Sequence, residues 1–131
     1  MALNYRKVWM AIAVIDFEPV VEFYQILLDR PPHPYIHGVY AEFELTGMRL
    51  GIFKPKSTHE SEFETIEKSA MSLCFAVDDL DEAIGQLNAL GYPPVSKVEE
   101  SSHGREIYAR DPAGNRLILY EEIGTPPIEY L

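Results

Sequence analysis

The four histidines are the side chains most able to ligate a metal or transfer a proton near neutral pH. His33 and His37 lie four residues apart, but the proline-rich run 31–38 excludes a helix, so this spacing does not predict a zinc site. His59 lies among acidic residues and is typical of a solvated segment. His103, in Ser-Ser-His-Gly-Arg, is a weak candidate for an acid–base or ligand role, with an inert surface-loop histidine as the alternative.

Two further side chains could do chemistry. Cys74 is the single cysteine and lies in an apolar run, so it cannot form an internal disulfide and predicts a reducing, cytoplasmic location. Glu42 is a candidate interior carboxylate, but its alternation with Phe43 favours a solvent-facing position.

Composition limits the partners. The net charge of −10 repels phosphate backbones and anionic lipid surfaces, which argues against nucleic-acid or membrane binding. No apolar run approaches the ~20 residues of a membrane helix. The short apolar stretch near the N-terminus closes at Asp16 without a small-residue cleavage site, so no signal peptide is predicted.

The first half of the chain predicts a strand, a helix and a hairpin. Residues 7–15 include β-branched and aromatic residues without a helical period and predict a strand, and Asp16 can cap a helix that ends before Pro31. After the proline-rich run, which predicts a loop or an irregular edge strand, residues 39–45 and 48–53 read as two strands joined by a tight turn.

The second half predicts the same order. Residues 72–77 read as a strand, and Asp79 with Glu82 forms a capping-box-like pattern before a helix that Gly91 ends. Further strands are predicted at 95–98, at 106–110 and at 116–120. The last two flank Asp-Pro-Ala-Gly at 111–114, which has the residue placements of a type I turn.

Sliding the sequence on itself indicates a duplication. A shift of 63 residues places Asp16 on Asp79, and a shift of 67 places Gly47 on Gly114. We therefore predict one domain, residues 1–131, of α+β class. It comprises a first βαβββ module (5–56), a linker (57–69), a second module (70–122) and an extended tail (123–131).

With V-D-D-L-D-E-A opening the second helix and R-D-P-A-G-N-R-L-I-L-Y-E ending the second module, the chain resembles the vicinal oxygen chelate superfamily. That superfamily includes glyoxalase I, extradiol dioxygenases and bleomycin resistance proteins. The resemblance implies two tandem βαβββ modules whose curved mixed sheets enclose a cavity, with helices outside, and a homodimer.

Enzymes of that superfamily usually hold a divalent metal on the first and last strands of each module. The family spacing, counted from Asp16, Asp79 and the two hairpin glycines, lands on Trp9, Gly51, Ser72 and Ile118. Three of these side chains cannot ligate a metal and Ser72 is a poor ligand, so we predict no metal ligands and no cofactor.

The resemblance instead implies a small-molecule ligand in the cavity, in the manner of bleomycin resistance proteins. Strand alternation predicts the residues that line it: Trp9, Arg49, Gly51, Phe53, Ser72, Cys74, Arg116, Ile118 and Tyr120. The acidity favours a cationic ligand, whereas Arg49 and Arg116 favour a local anionic group, and the sequence leaves this conflict open. A metal-dependent lyase or dioxygenase and a non-catalytic structural homodimer with a filled core are the alternatives.

Overall fold

Among the described residues, each half of the chain contains a strand, an α-helix and three further strands, in that order. The computed structural model describes residues 3–4, 6–64, 68–102 and 104–123, and the chain divides into two units, Met1–Glu64 and Thr65–Leu131. Each unit contains one four-stranded mixed sheet.

The first sheet has the strand order β1-β4-β3-β2, in which β1 and β4 are parallel and the other neighbours antiparallel. Its elements are β1 (Met10–Ala13), α1 (Phe17–Leu28), β2 (Tyr35–Ile36), β3 (Tyr40–Leu45) and β4 (Met48–Phe53). The two-residue β2 confirms an irregular edge strand in the proline-rich run, where prolines restrict further ladder pairing.

The second sheet has the equivalent order β5-β8-β7-β6, again with one parallel pair, β5 with β8. Its elements are β5 (Leu73–Ala76), α2 (Leu80–Leu90), β6 (Glu99–Ser101), β7 (Gly104–Arg110) and β8 (Arg116–Glu122). The α+β class and the repeated βαβββ order are thereby confirmed.

Strand register reproduces the duplication found in the sequence. Met10 lies opposite Leu50 in the first sheet, and Leu73 lies opposite Leu117 in the second. These residues are the ones that the shifts of 63 and 67 place on each other. The two modules therefore share a common frame, in which each residue of β1 and β4 has a structural equivalent.

Each sheet is covered on one face by its own helix. Helix α1 packs against β4 and helix α2 against β8. The largest fully buried side chains come from these helices, from the covered face of the strands and from the residue that follows β1: Val14, Val20, Tyr24, Phe43, Leu50 and Ile52 in the first unit, and Leu80, Leu87, Ile107 and Leu117 in the second. Alternation directs the intervening strand residues to the other face.

The two helix starts differ. Asp79 Oδ1 accepts a hydrogen bond from the backbone N–H of Glu82 at 3.1 Å, which confirms the predicted cap. The Glu121 carboxylate accepts from the N–H of Leu80 at 2.7 Å. Asp16 makes no side-chain capping bond, so that part of the prediction is wrong: its backbone (φ −91°, ψ 85°) departs from the extended conformation of Asp79.

The turn between β7 and β8 is built on Asp111, whose side chain is buried. Its Oδ1 accepts from the N–H groups of Ala113 and Asn115, both at 2.9 Å, and its carbonyl accepts from Gly114 N–H at 2.9 Å. This network confirms the predicted turn and explains why a buried carboxylate is tolerated there.

One predicted strand lies elsewhere in the structure, and the predicted bounds of the linker and of the tail stay predictions. The edge strand predicted at 95–98 lies instead at Glu99–Ser101, because Val95 and Ser96 bond individually to Tyr108 and form no ladder. The predicted linker 57–69 begins with a 3-10 helix, Ser57–Phe63, whose Phe63 ring contacts Phe53 at 5.8 Å. Most of the predicted tail, residues 124–131, lies outside the described part of the chain.

Within the described ranges, neither α-helix has the length and apolar character needed to cross a bilayer.

The contrast between the helix starts gives a matched prediction. Asp79→Ala should lower the free energy of unfolding by about 1 kcal/mol, because it removes the capping acceptor. Asp16→Ala, at the equivalent position, should change it by less than about 0.5 kcal/mol. Urea denaturation of both variants measures the difference, and equal losses would contradict the assignment.

Candidate functional site

The face of each sheet that its helix leaves uncovered carries the candidate functional side chains. We call these the first open face, on β1, β3 and β4, and the second open face, on β5, β7 and β8. The first carries Ala11, Ala13, Tyr40, Glu42, Arg49, Gly51 and Phe53. The second carries Cys74, Ala76, Glu106, Tyr108, Arg110, Arg116, Ile118 and Tyr120.

A polar cluster occupies the first open face. The Tyr40 hydroxyl donates to Glu42 Oε1 at 2.6 Å, and the Arg49 Nε–H donates to Glu42 Oε2. Arg49 Nη1 also lies 3.7 Å from Glu44 Oε2. Glu42 lies on the face opposite Phe43, as strand alternation predicts, but it is only 7% exposed, so the predicted solvent exposure is wrong. Tyr40 and Arg49 cover the carboxylate and provide its hydrogen bonds.

The cluster shifts the pKa of its carboxyl group and of its phenol in opposite directions. Burial, reinforced by the hydrogen bond to Glu42, raises the pKa of Tyr40 to about 12. The hydrogen bond from Tyr40 lowers the pKa of Glu42 from its ordinary value, with Arg49 contributing in the same direction and burial opposing. A carboxylate stabilised in this way is poorly suited to accept a proton as a general base.

Gly51 makes room for this cluster. A Cβ at Gly51 would lie 2.7 Å from the Tyr40 hydroxyl oxygen, closer than real side chains approach. The tyrosine hydroxyl thus occupies the space that a side chain at position 51 would need. Gly51 and Arg49 belong to the predicted ligand-binding residues, and the structure uses both to support the Tyr40–Glu42 pair.

The second open face contains a pocket with a volume of about 650 Å³. Its apolar surface comes from β5 and β8, and its polar rim from β6 and β7. The lining residues are Cys74, Phe75, Ala76, Glu99, Glu100, Ser101, Gly104, Arg105, Glu106, Ile118 and Tyr120. The volume is in the range of small-molecule sites.

Gly104 shapes this pocket. A Cβ at position 104 would collide with the carbonyl oxygen of Glu121 and lie 2.8 Å from the Tyr120 ring. The absence of a side chain therefore lets the Tyr120 ring pack against the backbone of β7. The ring then forms one wall and leaves the centre of the face, at Cys74 and Ile118, open.

The rim of the pocket is acidic. In the part of the chain that the structure describes, no basic side chain forms an ion pair with Glu99, Glu100 or Glu106. Arg105, the basic residue in the lining, pairs with Glu121 at 3.0 Å and with Asp81 at 3.6 Å. The local field is therefore negative, in keeping with the net charge of −10.

Cys74 lies exposed on the floor of the pocket, but its surroundings do not activate it. Partial burial of the sulfur raises the pKa of the thiol, and the negative charge of Glu106 raises it further, against a smaller opposing effect of Arg116. Nucleophilic cysteines have a lowered pKa. Cys74 therefore contributes a small, weakly polar surface to the pocket.

The predicted ligand-binding residues separate into two groups. Cys74, Ile118 and Tyr120 line the pocket, and Arg116 adjoins it, donating to Ser72 Oγ at 2.7 Å. In the first module, Trp9 is 47% exposed beneath Lys7 and Phe53 contacts Phe63, while Arg49 and Gly51 belong to the polar cluster. Their roles in binding stay predictions.

Three of the histidines lie within the described residues. His37 Nδ1 lies 2.9 Å from Glu18 Oε1, so this imidazole contacts helix α1. His103 lies outside the described residues. Across the described ranges, no three His, Cys, Asp or Glu side chains are arranged to hold a metal ion.

Sequence reasoning missed the acidic rim and the Tyr40–Glu42 pair. Glu106 shares strand parity with Tyr108 and Arg110, so alternation could have placed it on the second open face. Glu99 and Glu100 could not be found in this way, because β6 was predicted four residues too early. Burial of Glu42 depends on Arg49 across the hairpin, which strand alternation alone does not reveal.

Comparison with known protein families identifies one family for this chain. A family model described as a glyoxalase-like domain matches residues 9–120. A search of curated proteins finds no match.

Solved structures share the fold at low sequence identity. A glyoxalase/bleomycin resistance protein from Catenulispora acidiphila is 24% identical over 92% of this chain and 98% of its own, with a TM-score of 0.65. A lactoylglutathione lyase from Agrobacterium tumefaciens is 22% identical over 90% and 94%, with a TM-score of 0.66. A glyoxalase-related enzyme from Fulvimarina pelagi is 18% identical over 88% of each chain, with a TM-score of 0.68.

The polar cluster predicts a pH response. The pKa of Glu42 should lie below the ordinary glutamate value, and Tyr40→Phe should raise it, because the largest stabilising hydrogen bond is removed. The stability that this carboxylate contributes is therefore present above the unfolded pKa and lost as the pH falls through the folded pKa.

Carboxyl carbon shifts measured by NMR between pH 7 and pH 2.5 report this titration. Tyr35→Phe is the matched control, since Tyr35 bonds to Glu18 and not to Glu42. An unchanged Glu42 midpoint in Tyr40→Phe would contradict the cluster.

Proposed function

Because the chain belongs to the glyoxalase-like domain family, we propose that it binds a small organic molecule in the pocket of the second open face. The observation that carries the proposal is the pocket itself, an apolar floor beside an acidic rim. The cavity enclosed by both modules, expected from the sequence resemblance, remains a prediction. The proposed site needs only residues of the second module.

Shape and lining favour a ligand with an apolar or aromatic body. Ala76 and Cys74 are small, so the floor leaves space, and Ile118 gives it an aliphatic surface. The Tyr120 ring provides a face on which a flat group or a cation can rest. Desolvation of the ligand's apolar part supplies the main gain in binding free energy.

Charge favours a ligand with a cationic group. Glu106 lies opposite Tyr120 across the β7–β8 pairing, and Glu99 lies opposite Glu106 on β6, so two carboxylates flank the aromatic wall. Neither has a basic partner in the described ranges. A bound cation would offset their mutual repulsion.

The residues present do not fit the divalent metal of the family's enzymes. At the four expected positions, Trp9 has only a donor N–H, Gly51 has no side chain and Ile118 has no ligand atom. Ser72 Oγ accepts a hydrogen bond from Arg116, whose positive charge would repel a metal ion. We therefore propose ligand binding without a metal ion.

Metal content separates this proposal from a metal-dependent lyase or dioxygenase. Protein purified without chelators should contain well under about 0.1 equivalent of Ni, Zn, Fe or Mn, because the donor set is wrong. Plasma mass spectrometry measures these metals directly. One tightly bound equivalent, lost together with ligand binding on chelator treatment, would overturn the metal-free proposal.

Filling the pocket should weaken binding without unfolding the protein. Ala76 is exposed on the floor, so Ala76→Trp adds an indole that occupies the pocket, and the affinity for a monocationic acridine dye should fall by about tenfold or more. Fluorescence anisotropy at physiological salt measures the affinity.

The matched control is Ala89→Trp, which adds the same side chain at an exposed position of α2. This variant should bind the dye like the wild type. Equal affinities of both variants and the wild type, or no binding by the wild type, would refute the proposed site.

A further inference from the structure

Two arginines lie side by side at the turn end of the second open face. Arg110 on β7 is the direct partner of Arg116 on β8. Their neighbours Ala109 and Leu117 are fully buried on the covered face, so both arginines leave the sheet on the open face. Directly opposed residues have Cβ atoms about 5 Å apart, and like charges at that separation destabilise the strand pair.

Only neutral groups hold these guanidinium ions in the described part of the chain. Arg116 donates through Nε to Ser72 Oγ and through Nη2 to the Ser69 carbonyl, both at 2.7 Å. Arg110 donates through Nη1 to the Gly114 carbonyl at 3.0 Å. These contacts orient the two side chains without cancelling either charge. Each guanidinium has five N–H donors, so both retain donors for a further acceptor.

The first module shows the neutral version of the same arrangement. The shift of 67 residues places Arg49 on Arg116. The partner of Arg49 across the hairpin is Glu44, and Arg49 also pairs with the buried Glu42. At equivalent positions, the arginine of the first module is therefore neutralised by carboxylates, whereas the arginine of the second module lies opposite another arginine. Such a local departure from the usual pairing rule is expected at a functional site.

We infer that Arg110 and Arg116 form an oxyanion subsite next to the pocket, and that the ligand is an elongated zwitterion. The inference rests on the proposed function and adds a second charged group to its ligand. Forked guanidinium donors suit carboxylate and phosphate oxygens. The subsite adjoins the pocket because Arg116 lies two residues from Ile118 on the same face.

The spacing of the charged groups sets the length of the ligand. Glu106 and Arg110 are four residues apart on β7, a separation of roughly 13 Å along the strand. An anion bound at the arginines and a cation bound at Glu106 would span the apolar floor between them. This arrangement reconciles the acidity of the rim with the two cationic side chains.

Calorimetric titrations with 8-aminooctanoate and 1,8-diaminooctane test the inference. Arg110→Gln should lower the affinity for 8-aminooctanoate by about tenfold, because a charge-assisted contact with its carboxylate is lost. The same substitution should raise the affinity for 1,8-diaminooctane, because the arginines repel its second ammonium group. An aminooctyl phosphate of the same length distinguishes a carboxylate from a phosphate. A tenfold loss for either anion supports the subsite.

The controls separate this inference from the proposed function. Lys54→Gln removes an exposed positive charge in the first module and should leave all affinities unchanged. Arg116→Gln repeats the test if Arg110→Gln fails to fold, as judged by circular dichroism. Suppose that the wild type binds the diamine. If Arg110→Gln then lowers the affinity for the diamine as much as for 8-aminooctanoate and the aminooctyl phosphate, or changes no affinity, the oxyanion subsite is refuted and the proposed function is not. If the wild type binds none of the probes, the proposed function fails with it.

Discussion

The parallel pairing of the first strand of each module with its last strand determines where every candidate functional side chain lies. This pairing fixes Met10 opposite Leu50 and Leu73 opposite Leu117, all on the faces that the helices cover. Since side chains alternate, a shift of one residue would exchange the covered and open faces. Burial of the covered face, with Leu50 and Leu117 fully inaccessible, therefore holds the open face in register.

The two modules use this common frame in opposite ways. On the first open face, Gly51 admits the Tyr40 hydroxyl, and Glu42 and Arg49 complete a network whose hydrogen-bonding groups are paired with each other. On the second, Ile118 replaces the glycine, and Arg116 faces a second arginine. The first arrangement is self-contained, whereas the second leaves charged groups beside an open apolar floor, which is why we place ligand binding there.

Sequence periodicity predicted what depends on local chemistry and on burial. The duplication, the Asp79 cap and the Asp111 turn all follow from residue types at fixed spacing, and the structure contains each of them. Sequence periodicity gave wrong predictions where contacts with other strands determine whether a side chain is buried. Glu42 is buried because Arg49 and Tyr40 supply its hydrogen bonds, and no pattern along β3 signals that partnership.

The position of β6 illustrates the same limit. Val95 to Val98 has the β-branched composition of a strand, yet the ladder forms at Glu99–Ser101, where the chain pairs with β7. The three residues of β6 are polar and lie on an exposed edge, so they lack the apolar alternation that identifies a strand. β-propensity therefore favours residues 95–98 instead. The consequence is functional, because these residues supply the acidic rim on which the proposed charge preference depends.

Amide chemical-shift mapping with a monocationic acridine dye would locate the ligand on one of the two open faces. Binding at the second open face should give the largest shifts on β5, β7 and β8, around Cys74, Glu106 and Tyr120, and only small shifts on β3 and β4. Largest shifts on β1, β3 and β4, or no shift at saturating dye, would contradict the assignment of the second open face as the binding site.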